Sequence, residues 1–124
     1  MYYYREGYLR TSSEAYTLGK LSENFIHLTN NCLQQFNKNY GTFEEGNTLS
    51  FDVFRSLLKT DYNNLVDFDK DLLPRMKDLM IDSFLSTKSE INIKRRKFCF
   101  EMLGFDFLID EDFRVWLIEV KLFR

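Results

Sequence analysis

The sequence contains few of the residues that crosslink or interrupt a chain: two cysteines, one proline, one histidine and five glycines among 124 residues. Cys32 and Cys99 allow at most one disulfide, which excludes a disulfide-stapled secreted domain. We therefore expect both cysteines to be free, buried thiols in a reducing cytosol. With so little glycine and proline and no internal repeat, a collagenous or low-complexity chain is also excluded.

Long apolar runs and an excess of one charge are missing as well. No run approaches the ~20 residues that a membrane span requires, and the first residues lack the basic and apolar regions of a secretory signal peptide. The 17 lysines and arginines nearly balance the 19 aspartates and glutamates, so the formal net charge is −2. Bulk charge therefore predicts neither a nucleic-acid partner nor binding to an anionic membrane.

Aromatic side chains are what the chain has in quantity: 13 phenylalanines, seven tyrosines and one tryptophan. With 44% hydrophobic and 29% charged residues, the composition is that of a folded chain rather than a disordered one. A length of 124 residues allows one domain and no more.

Both ends of the chain have the character of β-strands. Residues 2–5 are strand-like, residues 6–7 suit a turn, and residues 8–10 suit a return strand. Residues 114–120 near the other end are strand-like too. Because terminal strands would leave unpaired edges, we expect residues 1–124 to be a single segment of a larger protein. The alternative is a small domain whose terminal elements are strands.

Helical patterns occupy the middle of the chain. Ser50 suits a helix N-cap with Asp52 in the first turn, and the apolar residues that follow recur at helical spacing. A second helix is predicted over residues 69–86, beginning close to Pro74 because proline is tolerated only near a helix start. Residues 24–31 have an apolar centre flanked by asparagines, which predicts a short strand that opens into a loop.

The last part of the chain predicts an antiparallel hairpin. Residues 98–109 and 113–120 are rich in β-prone side chains, and the acidic residues between them form the turn. A two-residue turn places Asp106 opposite Leu117, so that Asp106, Leu117 and Glu119 share one face with the carboxylates on a diagonal. An odd-length turn without a bulge would break this arrangement. The opposite face is apolar enough to be the core and carries Phe105, Phe107, Ile109, Trp116, Ile118 and Val120.

Two carboxylates on one face of a largely apolar hairpin need a reason, because they repel each other and resist desolvation. A divalent metal removes both penalties, and carboxylate oxygens on rigid strands suit Mg²⁺ with phosphate oxygens completing its shell. The alternative is that Asp106 and Glu119 pair with arginine or lysine, or lie at the solvent edge. The spacing alone leaves both interpretations open.

Four blocks of the sequence resemble, in the same order, signature segments of the tubulin–tyrosine ligase family. They are Tyr4–Tyr16, His27–Asn30, Tyr40–Asn47 and Leu103–Val120. The second block is similar to the family's nucleotide-contacting motif, and the last to its metal-binding hairpin. Together the blocks cover nearly the whole chain, which resembles the C-terminal part of the family's catalytic domain.

This resemblance implies an α+β fold, namely a partial ATP-grasp fold with an antiparallel sheet, packed helices and a C-terminal hairpin. It implies an ATP- and Mg²⁺-dependent ligase that joins an amino acid to a tubulin C-terminal tail through an acyl phosphate. Residues 10–13, Arg-Thr-Ser-Ser, resemble the tyrosine-adding branch, so tyrosine is the implied amino acid. The implied setting is cytoplasmic and cytoskeletal, with neither nucleic acid nor membrane as partner. A polyglutamylase-like ligase and a non-catalytic tubulin-binding remnant are the alternatives.

The resemblance also implies roles for particular residues. Asp106 and Glu119 are the implied Mg²⁺ ligands, which agrees with the shared face predicted above. Arg10 is implied to face the nucleotide phosphates and the acyl phosphate, which suits a permanently charged guanidinium; without the flanking motif it would be a surface arginine. Thr29 and Asn30 are implied to contact the nucleotide, and the alternative for them is capping of a loop.

The sequence departs from the family pattern at Lys121, where the family hairpin has asparagine. An asparagine offers a neutral carbonyl ligand, whereas an ammonium cannot coordinate Mg²⁺ and repels it. Because Lys121 is two residues beyond Glu119, we expect it on the same face, beside both carboxylates and partly neutralising them. The upstream strands with which the family grips ATP have no counterpart in the sequence, so we expect the chain alone to be inactive.

Overall fold

Most of the elements are short, and the longest is the 15-residue helix α4. The computed structural model describes residues 1–123. Its strands and α-helices are, in chain order, β1 (Tyr8–Arg10), α1 (Asn24–His27), α2 (Asn31–Gln34), β2 (Thr48–Ser50), α3 (Phe51–Thr60), α4 (Leu73–Thr87), β3 (Leu103–Ile109) and β4 (Val115–Leu122). The chain divides into two units, one ending at Asp61 and one beginning at Tyr62. The predicted α+β class is confirmed, but the described strands form two separate two-stranded antiparallel sheets instead of one.

In the first unit, β1 pairs with β2 and not with the residues before it. The register places Leu9 opposite Leu49. The hairpin predicted for the first ten residues is therefore wrong. Gly7, which the sequence predicts in a turn, is instead a point of close approach, because a Cβ there would overlap the ring of Phe51.

Within residues 24–31, the first four form α1 and the last begins α2, so the strand predicted there is wrong. Ile26 in α1 and Gln34 in α2 are buried. The side-chain amide of Gln34 donates hydrogen bonds to the carbonyls of Phe25 (3.0 Å) and Leu28 (2.6 Å). Because Gln34 satisfies the carbonyls of Phe25 and Leu28, these residues do not have to pair with another strand. The apolar pattern of residues 24–31 alone therefore does not determine their conformation.

The helix predicted after Ser50 is confirmed as α3. The hydroxyl of Ser50 accepts a hydrogen bond from the N–H of Val53 (3.2 Å), as an N-cap residue should. In the first turn, Asp52 forms an ion pair with Arg55 (2.6 Å). Leu58 is the buried residue of α3, and removal of its side chain from water stabilises the helix in place.

The second predicted helix is confirmed as α4, with Pro74 in its first turn. A π-helical turn over Phe68–Leu72 precedes it. The carboxylate of Asp67 begins this turn by accepting hydrogen bonds from the N–H groups of Asp69 (2.9 Å) and Lys70 (3.0 Å). The buried apolar residues of the second unit are Phe68, Leu72, Met76 and Val115.

The hairpin of β3 and β4 packs one face against α4. The ring centroids of Phe84 in α4 and Phe105 in β3 are 6.2 Å apart, and those of Phe105 and Phe107 are 6.3 Å apart. The first strand begins at Leu103, later than predicted, and residues 98–102 before it are exposed. The other face of the hairpin is the one that carries the carboxylates.

Cys32 and Cys99 are free thiols, as expected, but both are exposed and the prediction of buried thiols is wrong. Cys32 lies in α2, which turns Gln34 inward instead. Within residues 1–123, no helix combines the length and the apolar content needed to cross a membrane.

Candidate active site

The connection between β3 and β4 sets the register of the two carboxylates. Ile109 pairs with Val115, so residues 110–114 join the strands. The N–H of Phe113 donates to the carbonyl of Asp110 (3.0 Å), and Phe113 adopts a left-handed conformation with φ of 60°. This is the hairpin loop in which a type I turn is followed by a left-handed residue. The connection therefore has an odd length, whereas an even one was predicted.

A β-bulge at Ile118 restores the pairing of the carboxylates. Phe107 lies opposite Leu117, but Asp106 lies opposite Glu119, so Ile118 is an extra residue in β4. The extra residue compensates for the odd-length connection. Asp106 and Glu119 therefore share a face, as predicted, but they are direct cross-strand partners and do not lie on a diagonal.

The same register corrects two predicted face assignments. Leu117 lies opposite Phe107, on the face that α4 covers, and not beside the carboxylates. Trp116 lies opposite Leu108, on the carboxylate face, and is 53% exposed instead of belonging to the core. Both errors have one cause, since a shift of one residue in register moves every side chain to the other face.

Lys121 bridges the two carboxylates, and its predicted position beside both is confirmed. Its Nζ lies 2.7 Å from Oδ2 of Asp106 and 2.6 Å from Oε1 of Glu119. The three side chains are 42–49% exposed, so the cluster is open to solvent on one side. The hydrogen bond to Asp106, followed by the one to Glu119, raises the pKa of Lys121 above its ordinary value, because both bonds favour the charged form.

Apolar side chains border this cluster along the hairpin. Gly104 is the cross-strand partner of Lys121, and a Cβ on Gly104 would come within 2.7 Å of the ring of Phe123. The ring therefore lies over this glycine. Towards the connection, Leu108 and Trp116 form the next pair on the carboxylate face.

Asp110 organises the connection and orients Trp116. Its Oδ1 accepts hydrogen bonds from the N–H groups of Asp112 (3.0 Å) and Arg114 (2.8 Å), and its Oδ2 accepts one from Nε1 of Trp116 (2.9 Å). The hydrogen bond from Trp116 is the largest cause that lowers the pKa of Asp110 below its ordinary value. A charged Asp110 thus holds the indole on the carboxylate face.

Arg10 ends β1 and is exposed. Its Nη2 donates a hydrogen bond to the hydroxyl of Tyr8 (3.1 Å), and its Cζ lies 5.6 Å from the centre of the Tyr8 ring. Because the two residues are two apart on one strand, they share a face. Tyr8 therefore orients the guanidinium along the surface of the strand without burying it.

Thr29 and Asn30 form the joint between α1 and α2. Asn30 is the N-cap residue of α2, and its carbonyl accepts hydrogen bonds from the N–H groups of Leu33 and Gln34 (both 2.9 Å). Its side chain makes no capping hydrogen bond and is exposed. The Asn30 side chain therefore does not cap α2, which was the alternative role for this residue.

A buried polar cluster lies behind these segments, and sequence reasoning missed it. Its members Gln34, Ser13 and Asn47 are 0%, 2% and 4% exposed. Oε1 of Gln34 accepts a hydrogen bond from the N–H of Ser13 (2.9 Å), and its amide donates to the carbonyl of Leu28, which precedes Thr29. Gln34 therefore ties the Thr29–Asn30 joint to the segment that follows β1.

Asn47 forms the other side of the buried polar cluster. Its Nδ2 donates to the hydroxyl of Ser13 (2.8 Å) and the carbonyl of Thr11 (3.3 Å), and its Oδ1 accepts from the N–H of Gly41 (2.8 Å). Thr11 directly follows Arg10, so the cluster also fixes the backbone that carries the arginine. The position of Asn47 at the end of a family-like block was the one sequence signal for this role.

The carboxylate pair of this chain does not fit a divalent metal as it stands. Asp106 and Glu119 have the hard oxygen donors that Mg²⁺ prefers, but the position between their oxygens is taken by Nζ of Lys121. Among residues 1–123, no group of three or more histidine, cysteine, aspartate or glutamate side chains is placed to hold a metal. The charge of the pair is partly neutralised from within the hairpin.

The chain belongs to the tubulin–tyrosine ligase family, whose model matches residues 1–123. The chain is 31% identical over 121 residues to "Tubulin glycylase 3B" of Tetrahymena thermophila, covering 98% of this chain and 10% of that protein. It is 34% identical over 123 residues to "Probable alpha-tubulin polyglutamylase Ttll1" of the same organism, covering 98% and 29%. It is 31% identical over 118 residues to "Probable tubulin polyglutamylase TTLL9" of Rattus norvegicus, covering 95% and 24%. The family predicted from the motifs is confirmed, and the chain spans less than a third of the length of these relatives.

Proposed function

We propose that this chain supplies part of the active site of an ATP-dependent ligase that adds an amino acid to the C-terminal tail of tubulin. Family membership supports the proposal, as do relatives named as a tubulin glycylase and tubulin polyglutamylases. The observation that carries it is the direct pairing of Asp106 with Glu119, on the hairpin where the family resemblance expects two converging carboxylates. The two units would then be parts of an ATP-grasp fold.

The proposed reaction has two steps. A carboxylate oxygen attacks the γ-phosphorus of ATP, so that an acyl phosphate forms and ADP leaves. The amine nitrogen of the second substrate then attacks the acyl carbon, the amide bond forms, and inorganic phosphate and one proton leave. The protein has to hold the reacting groups in line and offset the negative charge of the phosphates.

We assign the residues as follows. Arg10 faces the phosphoryl group in transfer, because a guanidinium can bind two of its oxygens at once. Thr29 and Asn30 bind the nucleotide, and the exposed Asn30 side chain without a capping bond supports this role. The resemblance gives Asp106 and Glu119 the role of Mg²⁺ ligands, whereas in this chain Lys121 offsets their charge.

The proposal also concerns which amino acid the ligase adds to tubulin. The Arg-Thr-Ser-Ser sequence at residues 10–13 favours tyrosine, whereas the relatives are named as a glycylase and polyglutamylases. We therefore propose tyrosine, glutamate or glycine as the added amino acid. Tubulin is the proposed partner, which would place the protein in the cytoplasm with the cytoskeleton.

Incorporation of radiolabelled amino acids into tubulin tests this proposal. The native protein, captured from its own cells with an antibody to this chain, is incubated with tubulin, ATP and each of the three amino acids in turn. We expect ATP-dependent labelling with one of them, and labelling with none would contradict the ligase assignment. We expect no labelling from the 124 residues alone, since they span less than a third of the relatives.

Variants of Arg10 in the captured protein test the phosphate contact. Arg10→Ala should lower kcat much more than it lowers stability, and Arg10→Lys should restore only part of the loss because lysine lacks the fork. Arg5→Ala is a matched control, since the Arg5 side chain is 88% exposed and pairs with its neighbour Glu6. Full turnover in Arg10→Ala would make Arg10 a surface arginine.

A non-catalytic protein that binds tubulin tails is the second candidate, and the position of Lys121 favours it. The ammonium occupies the place between Asp106 and Glu119 where a catalytic cation would lie. Binding of a tubulin tail peptide to the chain without ATP, together with no labelling by the captured protein, would support this candidate over the ligase.

A further inference from the structure

We propose that Lys121 is a built-in cation that holds Asp106 and Glu119 together in place of a divalent metal. The hairpin of this chain then binds no metal at the carboxylate pair. The inference rests on the proposed function only for the kind of ion, Mg²⁺, that the pair would otherwise hold.

The first argument is that the ammonium and a metal ion compete for the same space. Nζ of Lys121 lies 2.7 Å from an oxygen of Asp106 and 2.6 Å from an oxygen of Glu119, which are lengths of charge-assisted hydrogen bonds. A Mg²⁺ ion bound to both oxygens at ~2.0–2.1 Å would lie between them. The ion and the ammonium cannot both be there, so a metal has to displace the lysine.

The second argument is that the backbone of β4 holds Lys121 next to the carboxylate pair. Lys121 lies in β4 opposite Gly104, and its backbone is fixed by the pairing of β4 with β3. Gly104 has no side chain that would push the lysine aside, and the ring of Phe123 lies over this glycine. A tethered partner acts at a high effective concentration, which a free ion has to overcome.

The third argument is charge. The carboxylates alone carry two negative charges, and Lys121 reduces the cluster to one. A displaced ammonium would remain within a side-chain length of the metal and repel it. No further acidic, histidine or cysteine side chain within residues 1–123 completes a group of three around the pair to compensate.

Terbium luminescence tests the inference on the chain itself. Trp116 is the one tryptophan in the sequence and lies on the same face of the hairpin as the pair, so it can sensitise a Tb³⁺ ion bound there. We expect no saturable emission from the wild-type chain above that of the Asp106→Asn, Glu119→Gln double variant. Lys121→Met keeps the stem without the charge, and we expect it to bind Tb³⁺ at least about tenfold more tightly. Lys121→Arg should behave as wild type.

Two outcomes would overturn the inference. One is saturable emission from the wild-type chain that the Asp106→Asn, Glu119→Gln variant abolishes and that Mg²⁺ competes away. The other is equal affinity in wild type and in a folded Lys121→Met. If Lys121→Met does not fold, the wild-type titration decides alone. The experiment uses neither ATP nor tubulin, so its result is independent of whether the ligase activity is found.

Discussion

Replacement of Gln34 by leucine tests whether the buried polar cluster holds the segments that carry Arg10 and Thr29. Leucine fills a similar volume but has no polar atoms. The N–H of Ser13 and the carbonyls of Phe25 and Leu28 would each lose the partner that Gln34 now provides. The variant therefore removes the Gln34 side of the cluster without opening a large cavity, and it leaves the hydrogen bonds of Asn47 in place.

The size of the effect follows from how deeply each of these groups is buried. A buried polar group left without a partner costs about 1–3 kcal/mol. Ser13 is 2% exposed, so its N–H bears the full cost, whereas the hydrogen bonds to the carbonyls of Phe25 and Leu28 are only partly buried and the Phe25 carbonyl keeps the hydroxyl of Ser12 as a donor. We expect the free energy of local opening to fall by about 2–4 kcal/mol. This corresponds to amide exchange that is about 30- to 1,000-fold faster.

Hydrogen–deuterium exchange read by mass spectrometry measures this change in peptides that cover residues 11–16 and 24–34. Gln35→Leu is the matched control, because Gln35 is exposed and its amide donates a hydrogen bond to the carbonyl of Cys32 (3.1 Å) at the surface. We expect the control to stay within about 0.5 kcal/mol of wild type. Unchanged exchange at residues 11–16 in Gln34→Leu would refute the role of the cluster.

Three further predictions concern the cap, the connection and the exposed aromatic residues. Ser50→Ala should destabilise α3 by about 1 kcal/mol, measured as faster amide exchange in that helix. Because the pKa of Asp110 is lowered from its ordinary 3.8, its contribution to folding is present above that pH and is lost as the pH falls through the lower folded-state value. Trp116 fluorescence should therefore change with a midpoint below 3.8, and Asp110→Asn should remove this transition. Phe98 and Phe100 are 104% and 92% exposed, so replacing both by serine should reduce self-association of the chain in light scattering.

Elements with a local signal could be predicted from the sequence. Ser50 marks the start of α3 because its hydroxyl satisfies a nearby N–H, and Pro74 marks the start of α4 because proline fits only there. The partner of β1 could not be predicted in this way. Leu9 pairs with Leu49 across most of the first unit, and nothing in a three-residue strand specifies so distant a partner.

The hairpin shows where prediction fails and why the predicted shared face of Asp106 and Glu119 is still found. The left-handed conformation of Phe113 is unusual for a bulky residue, and the bulge at Ile118 has no signature in the sequence. The two irregularities compensate each other beyond the bulge, so Asp106 and Glu119 share a face as predicted. Between the connection and the bulge the register differs from the predicted one, and Trp116 therefore lies on the carboxylate face instead of the apolar face.

The buried polar cluster could not be predicted because burial depends on tertiary packing. Gln34 and Gln35 are the same residue type in neighbouring positions, yet one is fully buried and the other is exposed. Lys121 was predictable, because its place two residues after Glu119 puts it on the same face whichever way the turn is built.

NMR of the lysine side chains tests most directly that the ammonium of Lys121 joins Asp106 to Glu119. In the ¹⁵N-labelled chain, hydrogen bonds to both carboxylates should slow the exchange of the Lys121 ammonium protons with water, relative to the exposed Lys94. We predict that Mg²⁺ leaves this slow signal unchanged and that Asp106→Asn with Glu119→Gln abolishes it. Two results would contradict the claim that the ammonium joins Asp106 to Glu119. One is exchange of the Lys121 ammonium protons as fast as that of Lys94, and the other is a change from slow to fast exchange at Lys121 when Mg²⁺ is added.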